Sequence, residues 1–268
     1  MEYVELKDTR IPKIGLGTWE LQGQECQNAV RLALDLGYRN IDTAQMYRNE
    51  NDVGQAIQTS GVNREEIFLT TKILSSNLNP DDVVRTTVES LRKLRTEYVD
   101  LLLIHWPNPR VALSKTIAAM DQLRAEGKTR YIGVSNFSVA QMKETMQACE
   151  DIILTNQVKY HPYQDQSEIL RFCIENNMIL TAYSPLARGR VTSDPVLADI
   201  GKSYGKSASQ VALRWLISQT NVMAIPKSGS ETHLAENLNI FDFELSDSDL
   251  QQIMRLHGGL SDRIRSFF

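Results

Sequence analysis

The chain is short of cysteine, of histidine, of long apolar runs and of any excess of one charge, and each shortage excludes a class of protein. Cys26, Cys149 and Cys173 are the only cysteines in 268 residues. They are few, odd in number and widely spaced, so they frame neither a disulfide scaffold nor a metal site. All three fall in helical patterns and are expected to be buried, reduced thiols. The formal net charge is −4, with both signs mixed along the chain. No basic tract of the kind that neutralises nucleic-acid phosphates stands out, so DNA and RNA are not expected partners. The longest apolar runs, such as 101–104, are far too short to span a bilayer. Residues 1–10 are polar and carry both charges, unlike a secretory signal. A cytoplasmic location without membrane contact is the expectation. His105, His161, His233 and His257 include no paired ligand spacing such as H-x-H, which argues against a metal-dependent hydrolase.

What is present is a repeating unit: a short apolar run, a polar turn, then an amphipathic stretch. The runs 67–69, 99–104, 131–134, 152–155, 178–182 and 222–225 are mostly continuous instead of alternating, as in parallel strands covered on both faces. Weaker strands are predicted at 13–19 and 38–41. Helices start where caps stand. Asn79 precedes Pro80, Asp81 and Asp82, offering a cap, a first-turn proline and acids at the positive end of the dipole. Val84, Val88, Leu91 and Leu94 form an apolar stripe behind it. Ser138 with Gln141, and Ser207 with Gln210, read as capping boxes. Val139, Met142, Met146 and Cys149 mark one buried face, and Ala208, Val211, Ala212 and Trp215 another. Units of roughly 30 residues, with no Pro/Gly/Ser-rich linker between them, suit eight βα repeats in one closed barrel of about 250 residues. The rival is an open doubly wound sheet, which would usually bind a dinucleotide through G-x-G-x-x-G. Here Gly15-Leu16-Gly17 runs into Thr18, Trp19 and Glu20, and the third glycine is missing.

Barrel enzymes keep their sites at the C-terminal ends of the strands. Just past each apolar run lie Asp42, Lys72, His105, Ser135 with Asn136, Gln157, Ser184 with Pro185, and Lys227 with Ser228. A charged side chain closing an apolar strand is costly unless it has a partner. Taken singly, each has a plain structural reading: a buried ion pair, a loop aromatic, a satisfied core histidine. Three ionisable strand ends converging on one mouth are harder to dismiss.

Segments spread over nearly the whole chain carry a specific resemblance. Gly37-Tyr38-Arg39-Asn40-Ile41-Asp42-Thr43-Ala44 is followed by Tyr47 and Asn49-Glu50. Phe68-Leu69-Thr70-Thr71-Lys72, then Asp100-Leu101 through His105-Trp106-Pro107, then Ile132-Gly133-Val134-Ser135-Asn136-Phe137 come next. Thr155-Asn156-Gln157, Ala182-Tyr183-Ser184-Pro185-Leu186 and Ile225-Pro226-Lys227-Ser228 complete the set. In this order they resemble the aldo-keto reductase superfamily, most closely its short prokaryotic members such as 2,5-diketo-gluconate and methylglyoxal reductases. The resemblance implies an α/β fold, a single (β/α)8 TIM barrel spanning 1–268 with a short N-terminal hairpin and extra C-terminal helices. It implies reduction of small aldehydes and ketones with NADPH, NADH being possible.

By that resemblance Asp42, Tyr47, Lys72 and His105 are the catalytic tetrad. Tyr47 is the expected acid, Lys72 the ammonium that would draw its pKa down from near 10. Asp42 would hold Lys72, and His105 would donate a hydrogen bond to the carbonyl oxygen. The resemblance also places Lys227, Ser228 and His233 at the 2′-phosphate, and Glu236 and Asn237 at the adenine. Ser184, Leu186 and Arg188 fall at the pyrophosphate. Ser135, Asn136 and Gln157 fall at the nicotinamide carboxamide, Tyr183 stacks on the ring, and Gly17, Thr18 and Ile225 complete the cofactor contacts. Relatives that prefer the phosphorylated cofactor usually carry arginine where this chain has His233, so a weaker preference is expected. Trp19 and Trp106 should wall the substrate pocket. The link from Trp106 to the next helix and the tail after His257 are short, which implies an open, tolerant site. With no coiled-coil heptads, a monomer is expected. The alternative is a nicotinamide-binding regulator on the same fold, as in the potassium-channel β subunits.

Overall fold

The computed structural model describes residues 1–6 and 9–256. Strands β1 (Tyr3–Leu6) and β2 (Thr9–Pro12) pair antiparallel as a hairpin. The eight that follow are β3 (Leu16–Gly17), β4 (Asn40–Asp42), β5 (Phe68–Ile73), β6 (Val99–Ile104), β7 (Thr129–Ser135), β8 (Ile153–Lys159), β9 (Ile179–Tyr183) and β10 (Val222–Ile225). They form one parallel sheet in chain order. The sheet closes where Ile14, just before β3, bridges Ala224 of β10, and where the Gly15 and Gly17 N–H groups donate to the Ala224 and Pro226 carbonyls. Only glycine fits at 17, because a Cβ there would lie 2.7 Å from the Ile225 carbonyl oxygen.

Helices α1 (Gly23–Asp35), α2 (Glu50–Gln58), α3 (Pro80–Leu94), α4 (Leu113–Ala125), α5 (Val139–Ala148) and α6 (Ser167–Glu175) each follow one strand, from β3 to β8. After β9 come α7 (Pro195–Tyr204) and α8 (Ala208–Ser218); after β10 come α9 (Glu231–Leu238) and α10 (Asp247–Arg255). The chain is thus a (β/α)8 barrel with a leading hairpin and added helices.

The continuous apolar runs have two destinations. Leu102 and Ile104 of β6 join the layer between barrel and helices, while Leu101 and Leu103 join an inner cluster with Leu154, Ile179 and Met223. Val4, Leu6 and Ile11 of the hairpin complete that inner cluster. The hairpin therefore plugs the N-terminal end of the barrel. Glu2 ties it down through ion pairs to Lys13 and to the buried Arg214. The C-terminal end is left for polar side chains.

Several local expectations are met and several are corrected. The Ser138–Gln141 and Ser207–Gln210 capping boxes form, and Ser246–Asp249 adds a third. Ala208, Val211, Ala212 and Trp215 are all buried. Asn79 does precede α3, but its side chain makes no capping hydrogen bond. The buried face of α3 is Val83, Thr86, Thr87, Ser90, Leu91 and Leu94, with Val88 exposed. Thr86 is accommodated there because its hydroxyl bonds the backbone one turn back, donating to the Asp82 carbonyl at 2.7 Å, and Ser90 Oγ accepts from Gln45 Nε2. On α5 only Met142 of the expected face is fully buried, since Val139 and Met146 are half-buried. Cys26 and Cys173 are buried, but Cys149 is half-buried and caps the end of α5. Strand β5 runs on through Thr70, Thr71 and Lys72, polar residues that end an apolar pattern without ending the strand. His257 and the tail after it lie outside the described residues.

Helix α2 packs close against the end of α3 because Gly54 has no side chain: a Cβ there would meet the Lys93 carbonyl oxygen at 2.5 Å. Gly54→Ala is expected to destabilise the fold by about 1–3 kcal/mol, the cost of overpacking a tight contact. Urea unfolding reads this directly, and an unchanged midpoint would contradict the close approach.

Candidate active site

Asp42 is the last residue of β4, Lys72 the penultimate residue of β5, and His105 the first residue past β6. Neighbouring parallel strands thus deliver an acid, an amine and an imidazole to the same rim. The chain after β4 turns through a short 3-10 segment, Gln45–Tyr47, which brings Tyr47 back over that rim. Asn49 holds the turn from behind. Its amide donates to the Thr18 and Leu21 carbonyls at 2.8 and 2.9 Å, and its oxygen accepts from Thr43 Oγ1 at 2.7 Å.

Lys72 is fully buried. Its Nζ donates to Asp42 Oδ1 at 2.5 Å, to the Thr43 carbonyl at 2.9 Å and to Tyr47 Oη at 3.2 Å. Three oxygens around three ammonium protons satisfy the group completely. Asp42 Oδ2 accepts from Gln157 Nε2 at 2.8 Å. Burial pushes the Lys72 pKa down, but Asp42 and Tyr47 outweigh it and hold the ammonium above its usual range. Burial displaces Asp42 upward against the pull of Lys72 and Gln157.

The expected lowering of Tyr47 is not what the surroundings produce. Burial raises its pKa, and the Asp42 carboxylate adds to that; Lys72 opposes both and does not win. The phenol therefore keeps its proton at neutral pH. The His105 ring meets that of Tyr47 edge-on, with centroids 5.7 Å apart. Burial, then the Lys72 charge, drives the His105 pKa from 6.5 down to about 3, so the imidazole is neutral. Its Nδ1 is buried without a hydrogen-bond partner among the described residues.

These groups line a cavity of about 210 Å³ whose wall includes Asp42, Tyr47, His105, Ser135, Asn136, Gln157, Tyr183 and Ile225, with Gly17 at its base. Trp19, Met46 and Trp106 supply its apolar surface. Trp106 is 45% exposed and Met46 44%, so the mouth is open. Met46 was not anticipated; its one signal was its place beside Tyr47 on the turn. Thr18 lines neither this cavity nor its neighbour: it is buried, donating from Oγ1 to the Asp42 carbonyl at 2.9 Å.

Through Trp19, Ser184, Arg188 and Lys227 the cavity continues into a groove of about 560 Å³. Leu186, Ser228, His233, Glu236 and Asn237 line it, as the resemblance placed them, and Ser207 to Ser209 at the start of α8 line it too. Its floor is unusual backbone. Ser184, Ala187, Arg188 and Gly189 all have positive φ, between 49 and 90°, a conformation that costs a non-glycine residue about 1 kcal/mol or more. Arg188 lies over the Trp19 ring at 4.8 Å. At the other end Asn136, itself at φ 63°, donates from Nδ2 to the His105 carbonyl at 3.1 Å and accepts from Tyr183 Oη at 2.9 Å. Ser135 Oγ donates to the Gln157 carbonyl at 2.8 Å.

Comparison with known proteins agrees with this geometry. Residues 13–257 match the Aldo/keto reductase family. A 9,11-endoperoxide prostaglandin H2 reductase of Trypanosoma cruzi is 41% identical over 252 residues, covering 92% of this chain and 88% of that protein. The methylglyoxal reductase DkgB of Yersinia pestis is 41% identical over 249 residues, covering 92% and 93%. A crystal structure assigned to a 2,5-diketo-D-gluconic acid reductase B superposes with a TM-score of 0.94 at 44% identity, covering 96% of this chain and 91% of that one. The chain belongs to the aldo-keto reductase superfamily, among relatives of the short bacterial diketo-gluconate and methylglyoxal reductases. It is an NAD(P)H-dependent oxidoreductase that reduces carbonyl groups.

The neutral state of His105 has a measurable consequence. Its folded pKa, about 3, lies below the roughly 6.5 of an unfolded chain, so the unfolded state binds the extra proton in between. That part of the stability is complete above about pH 6.5 and is lost as the pH falls toward the folded pKa. The His105 ring resonances are expected to stay constant by NMR from pH 8 to pH 5. A resonance titrating near pH 6.5 would contradict the burial described.

Proposed function

We propose that Tyr47 delivers the proton and Lys72 stabilises the phenolate it leaves behind. NADPH held along the groove would supply the hydride that forms a new C–H bond at the carbonyl carbon. As that bond forms, negative charge grows on the carbonyl oxygen, and the O–H bond of Tyr47 gives up its proton to it, yielding the alcohol. The observation that carries this reading is the 3.2 Å contact between Tyr47 Oη and a Lys72 ammonium fixed by Asp42. A phenol whose pKa is raised is a ready donor only if its conjugate base is stabilised at the moment of transfer, and the ammonium does that. Solvent then returns the proton to Tyr47 through the open mouth. His105, neutral, donates one hydrogen bond to the carbonyl oxygen and orients it.

The donor set along the groove fits a dinucleotide. Lys227, Ser228, His233 and the start of α9 gather positive charge and hydrogen-bond donors at one end, which suits a 2′-phosphate. Glu236 and Asn237 beside them suit the adenine. Ser184, Leu186 and Arg188 suit the pyrophosphate between. Ser135, Asn136 and Gln157 present amide and hydroxyl groups suited to a carboxamide, with the Tyr183 ring alongside. Lys227 and Ser228 favour NADPH, and because histidine at 233 grips phosphate less firmly than arginine would, that preference is weaker and NADH is accepted.

The small apolar cavity and exposed Trp106 favour compact carbonyl compounds, including 2-oxoaldehydes and keto sugars. The names of the methylglyoxal and diketo-gluconate relatives point the same way. We read residues 1–268 as one domain working as a monomer.

NADPH oxidation followed against a panel of small aldehydes and dicarbonyls tests the reading. Tyr47→Phe should lower turnover by roughly 10²–10⁴ while cofactor affinity holds, the range for losing a general acid. Wild-type turnover by purified Tyr47→Phe would overturn the assignment.

A further inference from the structure

The turn that carries Tyr47 is fastened on both sides of Lys72, to Thr71 within β5 and to Leu74 just past its end, by two side chains that do not line the 210 Å³ cavity. Ahead of Tyr47, Gln45 Oε1 accepts from the Leu74 N–H at 2.9 Å and from Asn77 Nδ2 at 3.3 Å. Its Nε2 donates to Ser90 Oγ of α3 at 3.3 Å. Beyond Tyr47, Glu50 Oε1 accepts from Thr71 Oγ1 at 2.7 Å. Ser90 also hydrogen-bonds Glu50, and Lys93 Nζ stands 3.8 Å from Glu50 Oε2. The connections form a closed circuit: Thr71 to Glu50, Glu50 to Ser90, Ser90 to Gln45, Gln45 to Leu74.

A carboxylate only 2% exposed is an expensive way to fill space. What Glu50 offers in return is an acceptor at one spot on the strand. Successive side chains of β5 point to opposite faces, so Thr71 faces away from the rim that Lys72 faces, toward the helix layer where Glu50 waits. Lys72 is independently fixed by Asp42 and the Thr43 carbonyl. The Tyr47 hydroxyl has Lys72 as its one hydrogen-bond partner among the described residues, and its turn ends at Arg48 in the left-handed region, φ 58°. Where Tyr47 stands relative to Lys72 therefore depends on where the turn is anchored.

We propose that Gln45 and Glu50 are positioning residues that set the separation of Tyr47 from Lys72 by pinning the Tyr47 turn to Thr71 of β5 and to Leu74 just past its end. The proposal rests on the reading of Tyr47 as proton donor.

The test is steady-state reduction of a small aldehyde by Gln45→Ala, Glu50→Ala and Glu50→Gln, with NADPH and with its deuterated form. Loosened positioning slows the chemical step alone. In Gln45→Ala and Glu50→Ala kcat should fall roughly 10- to 100-fold, the scale of a displacement near 1 Å. KM for the aldehyde and the Kd of NADPH should hold within about twofold, and the deuterium isotope effect on kcat should rise as chemistry becomes limiting. Glu50→Gln keeps an oxygen for Thr71 and should recover most of the lost rate. If Glu50→Ala fails to fold, the half-buried Gln45 decides through Gln45→Ala. Unchanged kcat in Gln45→Ala overturns the proposal. So does a loss of rate with an unchanged isotope effect, which marks fewer intact molecules and not a misplaced donor. An impaired Tyr47→Phe beside a normal Gln45→Ala sinks the positioning alone. A fully active Tyr47→Phe sinks the donor reading beneath it.

Discussion

An ammonium with no water around it must be held by oxygen, and the fully buried Lys72 is held by three: a carboxylate, a backbone carbonyl and a phenol. Much else at the C-terminal rim follows from supplying them. Asp42 has to end β4 within reach of Lys72 of β5; the parallel register sets Asp42 beside Thr70, two residues before Lys72 on the same face of the strand. Thr43 must turn its carbonyl inward, and Asn49 fixes Thr43 from the far side. Gln157 takes the second oxygen of Asp42 across the barrel, so the buried pair leaves little unsatisfied. A buried pair of this kind is poor value for stability alone, since apolar side chains of like volume serve at least as well. Its presence is better understood through the third oxygen, the Tyr47 hydroxyl, which lies at the edge of an open cavity.

The barrel supports this arrangement by dividing its two ends. The hairpin, through Val4, Leu6 and Ile11, seals the N-terminal end with apolar contact. Polar groups are concentrated at the opposite end, where strand ends, the 45–47 turn and the left-handed run around Ser184 and Arg188 assemble a cavity continuous with a groove. The longest stretch of positive-φ backbone, Ala187 to Gly189 with Ser184 just before it, falls in the segment that lines that groove. Stability is drawn from the closed sheet and its helices.

Much of this was legible in the sequence, for identifiable reasons. Strand β6 was bounded correctly at 99 and 104 because every residue but Asp100 is apolar and both faces are buried. Asp42, Lys72 and His105 stood out as ionisable strand ends. The motif order tied Tyr47 to them. What periodicity could not convey was partnership over distance. The run at 67–69 hid a strand that continues to Ile73, because Thr70, Thr71 and Lys72 are buried polar residues satisfied by tertiary contacts. Gln157 reaches Asp42 across 115 residues of chain. Thr18 was placed with the cofactor by resemblance, yet its hydroxyl turns inward to the Asp42 carbonyl. The direction of the Tyr47 shift needed the balance of burial and two opposite charges, which residue types alone do not contain.

The central claim is that a buried ammonium stabilises the phenolate as the proton leaves. It is tested most directly by the single-turnover rate of NADPH oxidation in Lys72→Met, a neutral side chain of similar length, measured with bound cofactor and saturating aldehyde. The account predicts a folded protein that binds NADPH and reduces the aldehyde at least about 10²-fold more slowly, as loss of one such electrostatic partner costs elsewhere. A single-turnover rate equal to that of the wild type would contradict it.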